Sequence, residues 1–352
     1  MNHDNYHKGR GAQFSGDNPF HKQRHTLDIQ EAIDEDPSKD KPITQLFYET
    51  SKTIVNRVDS EDVGMDFSAN PYQGCEHGCV YCYARNSHNY WGHDAALGFE
   101  TRIIVKKNAP QLLEKKLLSP GWKPKPIVLS GNTDCYQPLE RKLKITRSLL
   151  QIFQKYRHPV GIITKNSTVL RDLDILEDLN RDRLVSVFIS ITTLDEKLRS
   201  VMEPRTASAR KKLQVIEKLS NKNIPVGIMN APIIPGLNHN ESPDIIKAAA
   251  DHGALSAAYT IVRLNGAIGP VFEDWLKKNF PDRASKVWNQ ICDAHGGQVN
   301  DSRWGTRIKG EGNMVAAIDQ LFKASKKKYL KGRSMPRLDT TKFRKGGNYQ
   351  LF

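Results

Sequence analysis

Over residues 66–265 the chain alternates short runs of β-branched residues with longer amphipathic stretches, and this alternation limits its fold more than any other feature. It is the pattern of βα units wound on a parallel sheet. Residues 127–130 read as a strand, and 139–156 as a helix with Leu139, Leu143, Leu149, Leu150 and Phe153 near 3.6 spacing. Residues 161–165 give the next strand, after which Ser167 or Thr168 caps a helix carrying Leu170, Leu173, Leu176 and Leu179. Residues 184–192 form a third, with Val187, Ile189 and Ile191 on one face. A helix through Leu213, Ile216 and Leu219 leads to a strand at 226–229 and a turn at Pro235-Gly236. Ser242, Pro243 and Asp244 open a further helix that Gly253 stops, and residues 258–264 close the series. With a strand leading into the cysteines of the next paragraph, the count is six strands and about five helices. The fold class is therefore α/β, a partial barrel open on one side, because an eight-fold barrel needs more chain than is present.

Cys75, Cys79 and Cys82 fall within eight residues, in NPYQGCEHGCVYCYAR, while Cys135 and Cys292 stand alone. An odd count of five in a chain without a secretory signal does not suit a disulfide framework. Three close thiolates can hold three irons of a cubane and leave the fourth open to a chelating substrate. Gly74 and Gly78 suit a loop that wraps such a cluster. Two other readings stand beside this one. A zinc site of the three cysteines with His77 or His88 would make a zinc-stabilised nucleic-acid-binding protein without catalysis. An electron-transfer protein would take Cys135 as a fourth thiolate.

The flanks divide into an extended lead-in at 1–45, a barrel at 46–266, a helical extension at 267–330 and a basic tail at 331–352. The extension carries Phe272, Trp275, Leu276, Val287, Trp288 and Ile291, with a loop at 301–313. The net charge is +14, and residues 321–352 hold ten lysines and arginines against one acid, Asp339. This tail is either solvated or an arm that contacts the phosphates of a nucleic acid. No apolar run is long enough for a membrane span, and the N-terminus lacks an apolar signal segment, so a cytoplasmic protein is expected. The oligomeric state stays open.

The cysteine segment, with aromatic Tyr81 directly before the last cysteine, resembles radical S-adenosylmethionine (SAM) enzymes. With TDCYQPLE (133–140) and EPRT (203–206) it is similar to their spore photoproduct lyase-related branch, from about Gly9 to Phe352. The resemblance implies a partial (βα)6 TIM-like radical SAM barrel and a [4Fe-4S] cluster on Cys75, Cys79 and Cys82. It also implies SAM on the open iron and an electron from an external reductase. Reductive cleavage of SAM would give a 5′-deoxyadenosyl radical that abstracts hydrogen from an unknown substrate, with nucleic acid the leading candidate and a protein or small molecule the alternative.

The resemblance also implies roles by position. Asn132, Thr133 and Asp134 occupy the loop where many members bind the SAM amino group, though their Gly-Gly-Glu motif is absent here. Lys165 matches a SAM carboxylate contact, Ser190 a ribose contact, and Ile233 lies in APIIPGLN (231–238), which packs beside adenine. Tyr81 accompanies the cluster. Cys135 is a candidate hydrogen-atom donor or a buried inert thiol, and Tyr83 and Tyr136 relay hydrogen or line a pocket. His77 tunes the cluster or is an exposed loop residue, Glu203 and Arg205 form a structural ion pair or anchor the loop after the fourth strand, and Cys292 is a core residue.

Overall fold

The computed structural model describes residues 6–20 and 42–346. In chain order it begins with β1 (Gln45–Glu49), β2 (Val55–Arg57), β3 (Phe67–Ala69) and β4 (Tyr72–Gln73). Beyond the cysteine loop come α1 (Leu97–Thr101), β5 (Arg102–Lys106) and α2 (Ala109–Leu118). The repeating units follow as β6 (Ile127–Leu129), α3 (Glu140–Leu143), α4 (Ile145–Lys155), β7 (Val160–Thr164), α5 (Leu173–Arg181) and β8 (Val185–Ser190). They continue through α6 (Glu196–Met202), α7 (Ala209–Asn221), β9 (Val226–Ile233), α8 (Ser242–Asp251) and β10 (Ala257–Ile261). The extension is α9 (Ile268–Asn279), α10 (Ala284–Asp293) and α11 (Asn313–Tyr329).

The main sheet has the order β10-β9-β8-β7-β6-β3-β2. Its six strands from β3 to β10 run parallel, as the alternation predicts, and β2 pairs antiparallel at the edge. All six parallel strands therefore end on one side. The helices fold back over the sheet and bury one apolar stripe each; α4 buries Leu149, Leu150 and Phe153 completely, each such side chain stabilising the fold by roughly 1.5–3 kcal/mol.

Several boundaries differ from the sequence reading, each for a local reason. The helix expected over 139–156 breaks at Lys144, which is left-handed (φ 54°). The buried Glu140 carboxylate turns inward there and accepts from the Thr146 N–H at 3.2 Å, capping α4. Before α5 the cap is Asn166 rather than Ser167 or Thr168; its side-chain oxygen accepts from the Thr168 N–H at 3.0 Å. Strand β9 runs on to Ile233. A second sheet, β1-β5-β4, and α2 lie in segments whose short runs give no clear period.

Both flanks dock onto the barrel. Within the lead-in, Arg10, Gly11, Ala12 and Gln13 are buried, whereas residues 1–5 and 21–41 lie outside the described residues. The tail crosses the base of the barrel, where strands begin. The Arg333 guanidinium donates to the Ala250 and Ala254 carbonyls at 2.7 and 3.0 Å. The Asp339 N–H donates to the Arg183 carbonyl at 3.0 Å, the Arg344 N–H to that of Tyr156 at 2.9 Å, and Phe343 meets His158 edge-on at 5.4 Å. The described tail is thus a strap and not a solvated end; residues 347–352 lie outside the described residues. The ten basic residues of 321–352, four on α11 and six on the strap, nonetheless remain exposed.

A second tie joins the regions beside the two sheet edges. Asp62, between β2 and β3, accepts from the Gly305 N–H at 2.8 Å and the Arg307 guanidinium at 2.5 Å. The loop carrying these donors extends the β10 edge, through Ile261 N–H to the Ile308 carbonyl at 2.8 Å and Leu264 N–H to the Val299 carbonyl at 2.8 Å.

Candidate active site

The three cysteines follow β3 and β4 on the side where the strands end. Gly74 and Gly78 adopt φ of +78° and +68°, which non-glycine residues rarely accept. A Cβ on Gly78 would stand 2.8 Å from the Glu100 carboxylate. The loop is then gripped by groups from four directions. The Arg85 guanidinium donates to the Cys79 carbonyl at 2.9 and 3.1 Å and pairs with buried Glu100 at 2.5 Å. The other side of Glu100 accepts from the Gly11 and Ala12 N–H groups at 3.0 and 2.8 Å, so the lead-in is fastened to the loop. Removing one member of such a buried pair costs roughly 3–5 kcal/mol.

From the β6 loop, Gln137 donates to the Gly74 carbonyl at 3.1 Å and accepts from the Glu76 N–H at 3.0 Å. From the EPRT segment, Glu203 accepts from the Tyr81 hydroxyl and, at 2.5 Å, from Thr192. Glu203 pairs with Lys212 at 3.1 Å, and Arg205 with Glu76 at 3.3 Å. The expected Glu203–Arg205 pair is therefore replaced by two separate pairs, both of which hold the cysteine loop. Burial pushes the Glu203 carboxyl up, yet Lys212 and then Lys165 outweigh it and hold it at about 2.

All three cysteines are free thiols, two of them buried and Cys82 half-buried. Burial pushes each thiol up. The charge of Cys82 raises the other two further, while Lys165 draws Cys79 and Cys82 down. As thiolates the three sulfurs would raise one another's cost, and a polynuclear iron group that binds all three at once would neutralise them. Among the described residues no three His, Cys, Asp or Glu side chains, these cysteines included, are drawn together around one ion. His77 is buried rather than exposed, and both its nitrogens are engaged, Nε2 with Asn166 at 3.1 Å and Nδ1 with Asp134 at 3.4 Å. His88 packs between His93 and Phe99. Cys135 is fully buried in the main core, its N–H on Ser130 and its carbonyl accepting from Thr146. Cys292 is half-buried on α10.

The remaining sequence candidates divide between the interior of this end and its framework. Asp134 braces: its carboxylate accepts from Thr164 and from the Tyr136 and Lys165 N–H groups, each at 2.8 Å, so both oxygens are taken. Thr133 is buried and donates to the Tyr72 carbonyl at 2.9 Å. Asn132 is half-buried and donates to Gln73 at 2.5 Å and Ser87 at 3.2 Å. The Tyr136 hydroxyl donates to Asp172 at 3.0 Å, away from the loop. Ser190 and Ile233, both buried, end β8 and β9.

Lys165 and Tyr83 differ from these. The Lys165 ammonium makes no hydrogen bond or ion pair among the described residues and lies 5.9 Å from the Tyr81 ring. Burial pulls its pKa down, but Glu203 and the thiols outweigh that and raise it. Tyr83 is 52% exposed, and burial, with the Cys82 charge, raises its phenol. Its hydroxyl donates to the Gly131 carbonyl at 2.7 Å.

Sequence reasoning missed Arg85, Glu100, Gln137 and Lys212. Arg85 and Gln137 sit inside the quoted motifs, where a buried role for a polar residue was the available signal. Glu100 and Lys212 stand in helices with nothing local to mark them.

Residues 69–249 match the radical SAM superfamily. An uncharacterized protein of Mycobacterium tuberculosis is 26% identical over 238 residues, covering 67% of this chain and 70% of the relative. One from Methanocaldococcus jannaschii is 28% identical over 234 residues, covering 65% and 82%. Among solved structures, spore photoproduct lyase complexed with dinucleoside spore photoproduct superposes with a TM-score of 0.56 at 14% identity, covering 82% of this chain and 80% of that one. A lyase variant with bound AdoMet and the same dinucleoside gives the same TM-score of 0.56 over the same shares. That likeness shows a shared fold, and the family match spans half of this chain. The chain belongs to the radical SAM superfamily and is an enzyme that uses a [4Fe-4S] cluster and SAM, with its electron drawn from an external reductant.

Proposed function

We propose that this enzyme abstracts hydrogen from a nucleic acid, with the cluster on Cys75, Cys79 and Cys82 and SAM spread across the ends of β6 to β9. The observation that carries the site assignment is the unpaired Lys165 ammonium, half-buried beside two of the three thiols at the end of β7. When bound, the reduced cluster supplies the electron that cleaves SAM to methionine and a 5′-deoxyadenosyl radical.

The chain's own residues position and enclose. Lys165 receives the SAM carboxylate as a point charge, which suits an ammonium held by no other partner. Asn132, the member of its loop that is neither buried nor fully committed, receives the amino group. Ser190 faces the ribose, and Ile233 supports the adenine. Tyr81, fixed by Glu203 and Thr192, walls the site beside Lys165, and Tyr83 lines the side on which substrate arrives. The buried grip on the loop excludes water from the reacting centre.

Nucleic acid as substrate is supported by the +14 net charge and by the ten exposed tail cations. Because the tail straps the base, opposite the cysteine loop, its cations would add general phosphate affinity and not present the reacting base. No helix among the described residues is long and apolar enough to cross a membrane.

The test is SAM binding to the reconstituted enzyme. Lys165→Met should weaken SAM about tenfold or more, the scale of a lost charge-assisted hydrogen bond, and Lys165→Arg should restore part of it. Unchanged SAM affinity in Lys165→Met would remove Lys165 from the site.

A further inference from the structure

Lys165 is not the one lone cation at this end of the barrel. Arg263 lies two residues past the end of β10, between Val262 and Leu264, both buried in the apolar cluster beneath the cysteine loop. The backbone there is held from both sides, Val262 N–H to the Ile233 carbonyl at 2.9 Å and Leu264 N–H to that of Val299 at 2.8 Å. Arg263 is half-buried, and its guanidinium has neither a hydrogen bond nor an ion pair among the described residues.

Its electrostatic neighbours are Arg307, Tyr83 and Asp62. Asp62 is already committed to Arg307 and to the Gly305 N–H, and Arg307 reaches Ser60 at 2.6 Å with its other arm. Two guanidinium groups thus share one carboxylate, and one positive charge is left without a counterion among the described residues. Burial and the repulsion of Arg307 make that charge costly. Leaving a buried guanidinium unpaired is unfavourable unless something else pairs it. The spot is tied to the cysteine loop through Asn86, which donates to the Asn265 carbonyl at 2.8 Å and accepts from the Ala267 N–H at 3.0 Å, and Tyr83, an electrostatic neighbour of Arg263, directly follows Cys82.

We propose that Arg263 is a substrate-binding residue that takes a backbone phosphodiester of a nucleic acid in the two-armed guanidinium grip, holding the adjacent nucleotide at the cysteine-loop end of the barrel. This rests on the radical SAM reading above and deepens it. A guanidinium fork matches two oxygens of a phosphodiester, and such a pair orients the substrate as well as binding it. The position also completes a division of labour: Lys165 near the middle of the sheet meets SAM, and Arg263 at its β10 edge meets the substrate.

The test is fluorescence anisotropy with anaerobically reconstituted enzyme, SAM and a labelled single-stranded deoxyoctanucleotide. A second probe carries one uncharged methylphosphonate linkage, moved along the strand. Arg263→Met should weaken the charged probe about tenfold or more, and Arg263→Lys less, because the charge remains and the fork is lost. At one linkage position the methylphosphonate should cost wild type a similar factor and cost Arg263→Met almost nothing, the non-additivity expected of a direct contact. Equal binding by wild type and Arg263→Met, full additivity at every linkage, or no binding of the octamer by wild type would each overturn the proposal. If Arg263→Met does not fold, the Arg263→Lys cycle decides by the same criteria. Failure of the underlying reading shows separately, as absence of 5′-deoxyadenosine from the wild-type enzyme.

Discussion

At the residue scale, chemistry follows from which polar groups are left without partners. Among the described residues Lys165 and Arg263 are free to meet ligands, whereas Asp134, read from the sequence as a cofactor contact, has spent both oxygens on the backbone turn and Thr164. Nothing in a single sequence separates those two conditions, because the partners come from strands far apart in the chain. The cysteine triad was legible since its spacing is local. Cys135 shows the limit: its position left a hydrogen-atom donor and a buried inert thiol equally open, and the structure seats it in the main core. Cys135→Ala should therefore keep full iron content and SAM cleavage and lose roughly 1 kcal/mol of stability for a small cavity. Loss of the cluster on that substitution, read by iron analysis, would make Cys135 a ligand.

At the element scale, strands and helices with strong period were readable: five of the six parallel strands stand on the apolar runs, and the sixth, β3, leads into the cysteines without such a run. What was not readable was how loops are held. The segment after α6 places Glu203 against Tyr81, Thr192 and Lys212, a meeting of sequence-distant groups that no periodicity records. The linkage has a definite sign. A buried carboxyl held at about 2 is stabilising above its ordinary value of 4.5 and loses that contribution as pH falls from 4.5 through about 2. The loss is on the order of 3 kcal/mol. Urea unfolding of the wild type should weaken over that range, and Glu203→Gln should flatten this acid limb while costing a few kcal/mol at pH 7 by leaving Lys212 unpaired. An acid limb identical in Glu203→Gln would show that other carboxyls carry it.

At the scale of the whole molecule, charge composition was legible but its placement was not. Ten cations on a terminal stretch suggest a free arm; Arg333, Phe343 and Arg344 instead fix the stretch across the base of the barrel, through packing and hydrogen bonds that a charge count cannot show. Anchoring and phosphate binding are then separable. Phe343→Ala should lower thermal stability with little change in nucleic-acid affinity. Replacing Lys326, Lys327 and Lys328 by Gln should leave stability nearly unchanged and reduce the salt slope of binding by about 0.7–0.9 for each phosphate no longer neutralised. A slope that does not move would confine the tail to its structural task.

The central claim is that Cys75, Cys79 and Cys82 hold the cluster at which SAM is cleaved. It is tested most directly by anaerobic reconstitution with iron and sulfide, reduction with dithionite, and chromatography for 5′-deoxyadenosine, on wild type and Cys82→Ala side by side. Wild type should bind about four irons and form 5′-deoxyadenosine only when SAM is present, and Cys82→Ala should form none. A wild-type protein that stays colourless and yields no 5′-deoxyadenosine, or a Cys82→Ala variant as active as wild type, would contradict it.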